Sequence, residues 1–146
     1  MKKLMTILVL TLVVAVSCKK DDKPKSKEDL IVGTWKPIKS VDVCDDGEGE
    51  DIETPDVCES NTRTTFHSDG TVEVLDYYVD DVTDECVNEV SNYSWNIVND
   101  NIVITGVGYN ETSKIFKLTS TTLEAGEEYT EDGYNCKSYV VLQKVN

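Results

Sequence analysis

One histidine, His67, occurs in the 146 residues. It is the natural candidate for general-base work near neutral pH. Asp69 follows two positions later and could orient an imidazole, but such a pair needs a nucleophile held opposite the ring. The nearest hydroxyl, Ser68, lies between the two within a Ser-Asp-Gly turn and cannot reach that position. No catalytic residues are assigned, and the chain reads as a non-enzyme. Acidic residues are abundant, 28 against 14 basic ones, so carboxylates lying close together carry little catalytic information. The segment from Asp42 to Glu53 has part of a calcium-loop rhythm, with Asp42, Asp46, Gly47, Glu50 and Glu53 at positions 1, 5, 6, 9 and 12. Cys44 occupies position 3, where an oxygen ligand belongs, and no helices flank the segment. A solvated acidic surface, with weak calcium binding at most, is the better reading. The five cysteines, Cys18, Cys44, Cys58, Cys86 and Cys136, include no Cys-x-x-Cys pair. With one histidine this leaves no zinc set, and neither a metal site nor a cofactor is expected.

The first cysteine has a different chemistry. Met1-Lys2-Lys3, the apolar run Leu4–Val16 and Ser17-Cys18 have the layout of an export signal. The run of about 13 residues is too short for a membrane-spanning helix, which needs roughly 20. Ala15-Val16-Ser17-Cys18 resembles the lipobox of bacterial lipoproteins, which implies cleavage after residue 17 and a lipid on Cys18. Residues 18–27, rich in Lys and Asp, cannot bury apolar surface and read as a tether. Lys20-Asp21-Asp22 resembles the signal that sends lipoproteins of Bacteroidota to the outer face of the outer membrane. The expected location is therefore the outer membrane, lipid-anchored, with display at the cell surface. Loss of Lys2 and Lys3 with the leader leaves 12 basic against 28 acidic residues, net −16. Nucleic acid demands a basic face and is excluded as a partner. Cations, basic proteins and neutral ligands remain.

Residues 28–146 form one domain, strand-like almost throughout. A capping box of Ser26 with Asp29 predicts a single helical turn before it. Eight strands are expected: Trp35–Val43, Thr62–His67, Thr71–Val79, Val90–Val98, Ile102–Gly106, Ser113–Leu118, Thr122–Ala125 and Lys137–Val145. Tyr93, Trp95 and Ile97 alternate with polar residues, which marks a strand with one buried face. Short links between sequential strands predict an all-β, antiparallel up-and-down meander closed into a small barrel. Three connections are short and share one pole, while the other four are longer and share the opposite pole. The four longer connections hold 18 of the 28 acids. Tyr77, Tyr78, Tyr109, Tyr129 and Tyr134 gather towards that pole, where they either pack strand ends or line a ligand mouth.

Cys44, Cys58, Cys86 and Cys136 fall at the same pole and predict two disulfides. In a closed barrel the end of the first strand faces the start of the eighth, which brings Cys44 beside Cys136 and leaves Cys58 for Cys86. The rival pairing, Cys44 with Cys58 and Cys86 with Cys136, stays open.

Gly33-Thr34-Trp35, after the helical turn and at the first strand, resembles the lipocalins. Cys58, Phe66-His67-Ser68-Asp69-Gly70-Thr71, Cys86 and Trp95 extend the likeness to the small lipocalin-like lipoproteins of Bacteroidota. The resemblance implies a barrel around a small hydrophobic ligand, with Gly33 and Trp35 plugging its closed end and Lys144 stacked on the Trp35 ring. It also points to the Cys58–Cys86 bridge. The chain is short for a lipocalin, so a barrel filled by its own side chains is a competing outcome. The function expected is a monomeric, lipid-anchored binding module. The alternative is a surface-displayed interaction or structural accessory acting through its acidic loops, with or without calcium.

Overall fold

The computed structural model describes residues 24–145. It holds one short α-helix, α1 (Lys27–Ile31), a single 3-10 turn at Glu59–Asn61, and nine antiparallel strands: β1 (Gly33–Cys44), β2 (Glu50–Glu53), β3 (Arg63–Phe66), β4 (Thr71–Val79), β5 (Cys86–Val98), β6 (Asn101–Gly106), β7 (Tyr109–Leu118), β8 (Thr122–Glu131) and β9 (Tyr134–Lys144). Strands β1 and β3 to β9 follow one another around a closed barrel, and β1 pairs with β9 from Trp35 to Cys44. The extra strand, β2, adds to the upper part of β1 from Ser40 to Val43. It was missed in the sequence because Glu-Asp-Ile-Glu is a poor strand former; its main-chain pairing to β1 holds it.

The expected strands exist, but several are longer. β5 begins at Cys86 rather than Val90, β7 at Tyr109 rather than Ser113, and β8 runs on to Glu131 rather than ending at Ala125. Two of the four connections expected to be long are therefore two-residue turns, at Val107-Gly108 and Asp132-Gly133. Asp132 and Gly133 have φ of 50° and 90°, the left-handed pair that a tight hairpin requires. The walls thus rise well above the height that the sequence suggested: β5, with 13 residues, is about 40 Å long.

The lower pole is sealed. Ser26 Oγ accepts from Asp29 N at 3.1 Å and Asp29 Oδ2 accepts from Ser26 N at 3.2 Å, which starts α1 and delivers Ile31 into the barrel end. Trp35 is wholly buried there, and its Nε1 donates to the Ile31 carbonyl at 2.6 Å. Lys144 Nζ donates to the carbonyls of Leu30 and Val32, both at 2.7 Å, and lies 4.8 Å from the Trp35 ring centroid. Orphan carbonyls at the end of α1 are thereby satisfied. Gly33 has φ +129°, and a Cβ there would meet Lys144 Cε at 3.1 Å, so both conformation and space call for glycine. Above this floor Phe66, Val72, Trp95, Ile102 and Leu123 complete the buried core, with Phe66 edge-on to Trp95 at 5.4 Å.

Both disulfides take the first pairing. Cys44 and Cys136 are register partners across the β1–β9 seam, with Cα atoms 4.1 Å apart. Cys58 and Cys86 tie the long β2–β3 connection to the start of β5, with Cα atoms 5.6 Å apart.

Candidate functional site

Every second side chain on a strand faces the same way, so the floor residues fix which residues point into the upper barrel. Above Val72 on β4 come Val74, Asp76 and Tyr78. Opposite them on β5 stand Tyr93, Ser91, Glu89 and Val87. On β7 the inner row is Ile115, Ser113, Glu111 and Tyr109. On β8 it is Ala125, Glu127 and Tyr129, and on β9 Leu142, Val140 and Ser138. On β1 a bulge at Ile38 resets the alternation, so that Ser40 and Asp42 face inward opposite Val140 and Ser138.

These inward residues do not fill the space between them. Val140, Tyr78, Tyr109 and Tyr129 point into the barrel yet are 36 to 43% exposed. The competing outcome, a barrel packed throughout, holds only for the lower half. The upper half is an open cup walled by tyrosine, serine and carboxylate.

The cup also has a side opening. β1 pairs with β3 over three residues only, Gly33 to Trp35, and on that edge next pairs with β2 from Ser40. A cleft of about 340 Å³ follows the gap, lined by Pro37, Lys39, Ser40, Thr62, Asp76, Tyr77 and Tyr78 and by Glu59 and the Glu53–Pro55 segment. Thr62 Oγ1 donates to Asp76 Oδ1 at 3.1 Å and accepts from Tyr77 N at 2.9 Å, which fixes the edge of the opening.

On the opposite wall Tyr93 stacks on Tyr109 with ring centroids 4.6 Å apart. Tyr109 Oη donates to Glu111 Oε2, and Ser113 Oγ donates to Glu111 Oε1 at 3.1 Å. The bond to the Glu111 carboxylate, with some burial, pushes the Tyr109 phenol up to about 12. Spectrophotometric titration should therefore show one tyrosine ionising well above the others. Glu111→Gln should bring that group back towards the ordinary value near 10; an unchanged titration would contradict this arrangement.

The residues that the sequence singled out are dispersed. His67 is exposed in the β3–β4 turn, where its carbonyl accepts from Trp95 Nε1 at 3.0 Å. Asp69 accepts from Thr71 N and Oγ1, which lowers its pKa and engages it in the turn. The calcium-like segment is opened out into the β1–β2 hairpin, so Asp42 sits on one strand and Glu50 and Glu53 on the other. Among the described residues the one metal-like trio is Cys44, Glu131 and Cys136, and its two cysteines are bonded to each other. Of the five tyrosines, Tyr78, Tyr109 and Tyr129 face the cup and Tyr77 borders the cleft. Cys18 lies outside the described residues. What the sequence missed is the inward set Asp42, Asp76, Glu89, Glu111 and Glu127. Continuing the Tyr93–Trp95–Ile97 alternation backwards would have found Glu89.

The profile of the lipocalin-like domain matches residues 31–125. The chain belongs to the lipocalin-like family. Solved structures similar to this lipocalin-like chain include a lipocalin-like protein from Bacteroides uniformis, at 13% identity and a TM-score of 0.45, covering 79% of this chain and 98% of that one. The odorant-binding protein of bovine nasal mucosa is 15% identical with a TM-score of 0.46, covering 86% and 78%. The bovine lipocalin allergen Bos d 2 is 13% identical with a TM-score of 0.45, covering 81% and 75%. No curated protein matches the chain.

Proposed function

We propose that this lipocalin-like chain is a non-catalytic, monomeric binding protein of the cell envelope, held to the outer membrane by a lipid on Cys18. Its barrel takes up one small, largely apolar molecule. The observation that carries this reading is the unfilled upper barrel, where Tyr78, Tyr109, Tyr129 and Val140 face inward and stay exposed. Apolar and aromatic surface turned into a concave space is the ordinary make-up of a small-molecule site.

Titration with the neutral fluorophore N-phenyl-1-naphthylamine tests the site. Saturable one-to-one binding is expected, and Val140→Trp, which fills the cup, should weaken it about tenfold or more, a loss of roughly 1.4 kcal/mol. Absence of saturable binding would overturn the reading. The anchor has its own test. Cys18→Ala should move the protein from the membrane fraction to the soluble one; continued sedimentation with membranes and labelling by a lipid probe would place the anchor elsewhere.

A further inference from the structure

We propose that the molecule held in the cup carries a positive charge: an organic amine whose apolar part rests on the tyrosines and whose ammonium group meets the inner carboxylates. This rests on the binding reading above and goes further by naming the ligand's chemical class.

Charge is sorted between the two faces of the barrel. By register Lys36, Lys39, Arg63, Lys114, Lys117 and Lys137 all stand on the outer face. There the acids find partners: Lys114 and Lys137 reach Glu128, and Lys117 reaches Glu124. The inner face has the opposite content. Asp42, Asp76, Glu89, Glu111 and Glu127 point into the cup, and all five are exposed. Among the described residues no Lys, Arg or His stands on the inner wall except Lys144, which is tied to two carbonyls in the floor.

Two details sharpen the point. Asp76 and Glu89 are direct register partners on β4 and β5, a like-charge pair that costs stability wherever nothing positive lies between its members. Asp42 and Glu127 flank Ser138 from either side. Carboxylates around a concave wall add their fields over the space between them. A cation bound there relieves the repulsion, while the tyrosine faces add cation–π attraction. The same lining excludes fatty acids, whose carboxylates would face five like charges. The independent observations are the open space itself and the 340 Å³ cleft at Asp76 and Tyr78, which Lys39 lines from the outer face together with Glu53 and Glu59 and which an amine with a short chain or single ring would fit.

Calorimetry with octylamine, 1-octanol and octanoate separates charge from apolar contact. Octylamine should bind about tenfold or more tighter than octanol, and octanoate weakest. Glu111→Gln, and the pair Asp76→Asn with Glu89→Gln, should each cut the preference for the amine over octanol about threefold to tenfold. Glu73→Gln, on the outer face of β4, should change nothing. Equal binding of octanol and octylamine, or an equal loss in Glu73→Gln, overturns the charge inference and leaves the binding reading standing. Failure of octylamine where the neutral fluorophore binds overturns the charge inference alone, and failure of both overturns the two together.

Discussion

Replacing Cys44 and Cys136 together with alanine should lower the stability of the folded chain by about 4–5 kcal/mol. The bridge joins the two strands of the barrel seam, 92 residues apart. No hairpin turn links β1 to β9, so in the unfolded chain these ends wander independently. The chain-entropy argument gives the largest loss to the longest closed loop. For Cys58–Cys86, with 28 residues between its ends, it gives roughly 3–4 kcal/mol. Urea unfolding of the two double variants provides the comparison, with an order predicted as well as a size. A seam variant no less stable than the Cys58–Cys86 variant would show that β1 and β9 are held by other means.

Trp35→Ala should be nearly as damaging, at about 3–5 kcal/mol. Three interactions end on this one ring: burial against Ile31 and the core, the indole donation to the Ile31 carbonyl at 2.6 Å, and the Lys144 ammonium over its face. Trp35→Phe keeps most of the volume but leaves the buried carbonyl without its donor, and should cost about 1–3 kcal/mol. Lys144→Met removes the charge above the ring and the donors to Leu30 and Val32, and should cost about 2–3 kcal/mol. Because these groups share partners, the double variant should fall short of the sum. Chemical denaturation measures all four. Strict additivity would mean that ring and ammonium act separately.

The sequence was most legible where local chemistry and burial agree. The Ser26–Asp29 capping box, the turn at Ser68-Asp69-Gly70 and the alternation around Trp95 are each decided by residues adjacent in the chain. Strand ends were harder to place. β8 beyond Ala125 reads Gly-Glu-Glu-Tyr-Thr-Glu, a composition typical of a solvated loop, yet it is strand because β9 supplies main-chain partners out to Glu131. Asp132-Gly133 was the local sign of that hairpin, masked by the acids around it. The same masking hid the lining of the cup. Glu111 and Glu127 carry no local sign of facing inward, because charged residues rarely do so. They do so here because the upper barrel is open to water, a property of the closed sheet that no local stretch of sequence expresses.

The seam has a consequence for how quickly the barrel assembles. Its contacts join residues 92 to 114 positions apart, whereas the other neighbouring strands, β1 with β3 apart, are connected through short turns or single loops. Hairpins such as β5–β6 and β8–β9 can form early and locally, within microseconds. Closure must wait until the last eleven-residue strand is free to reach the first, and the entropy of that loop is lost before any seam contact repays it. Until then β1 presents an unpaired edge along nearly its full length, the kind of edge on which two chains can pair with each other. Refolding yield should therefore depend on protein concentration far more steeply than the stability of the finished barrel would suggest.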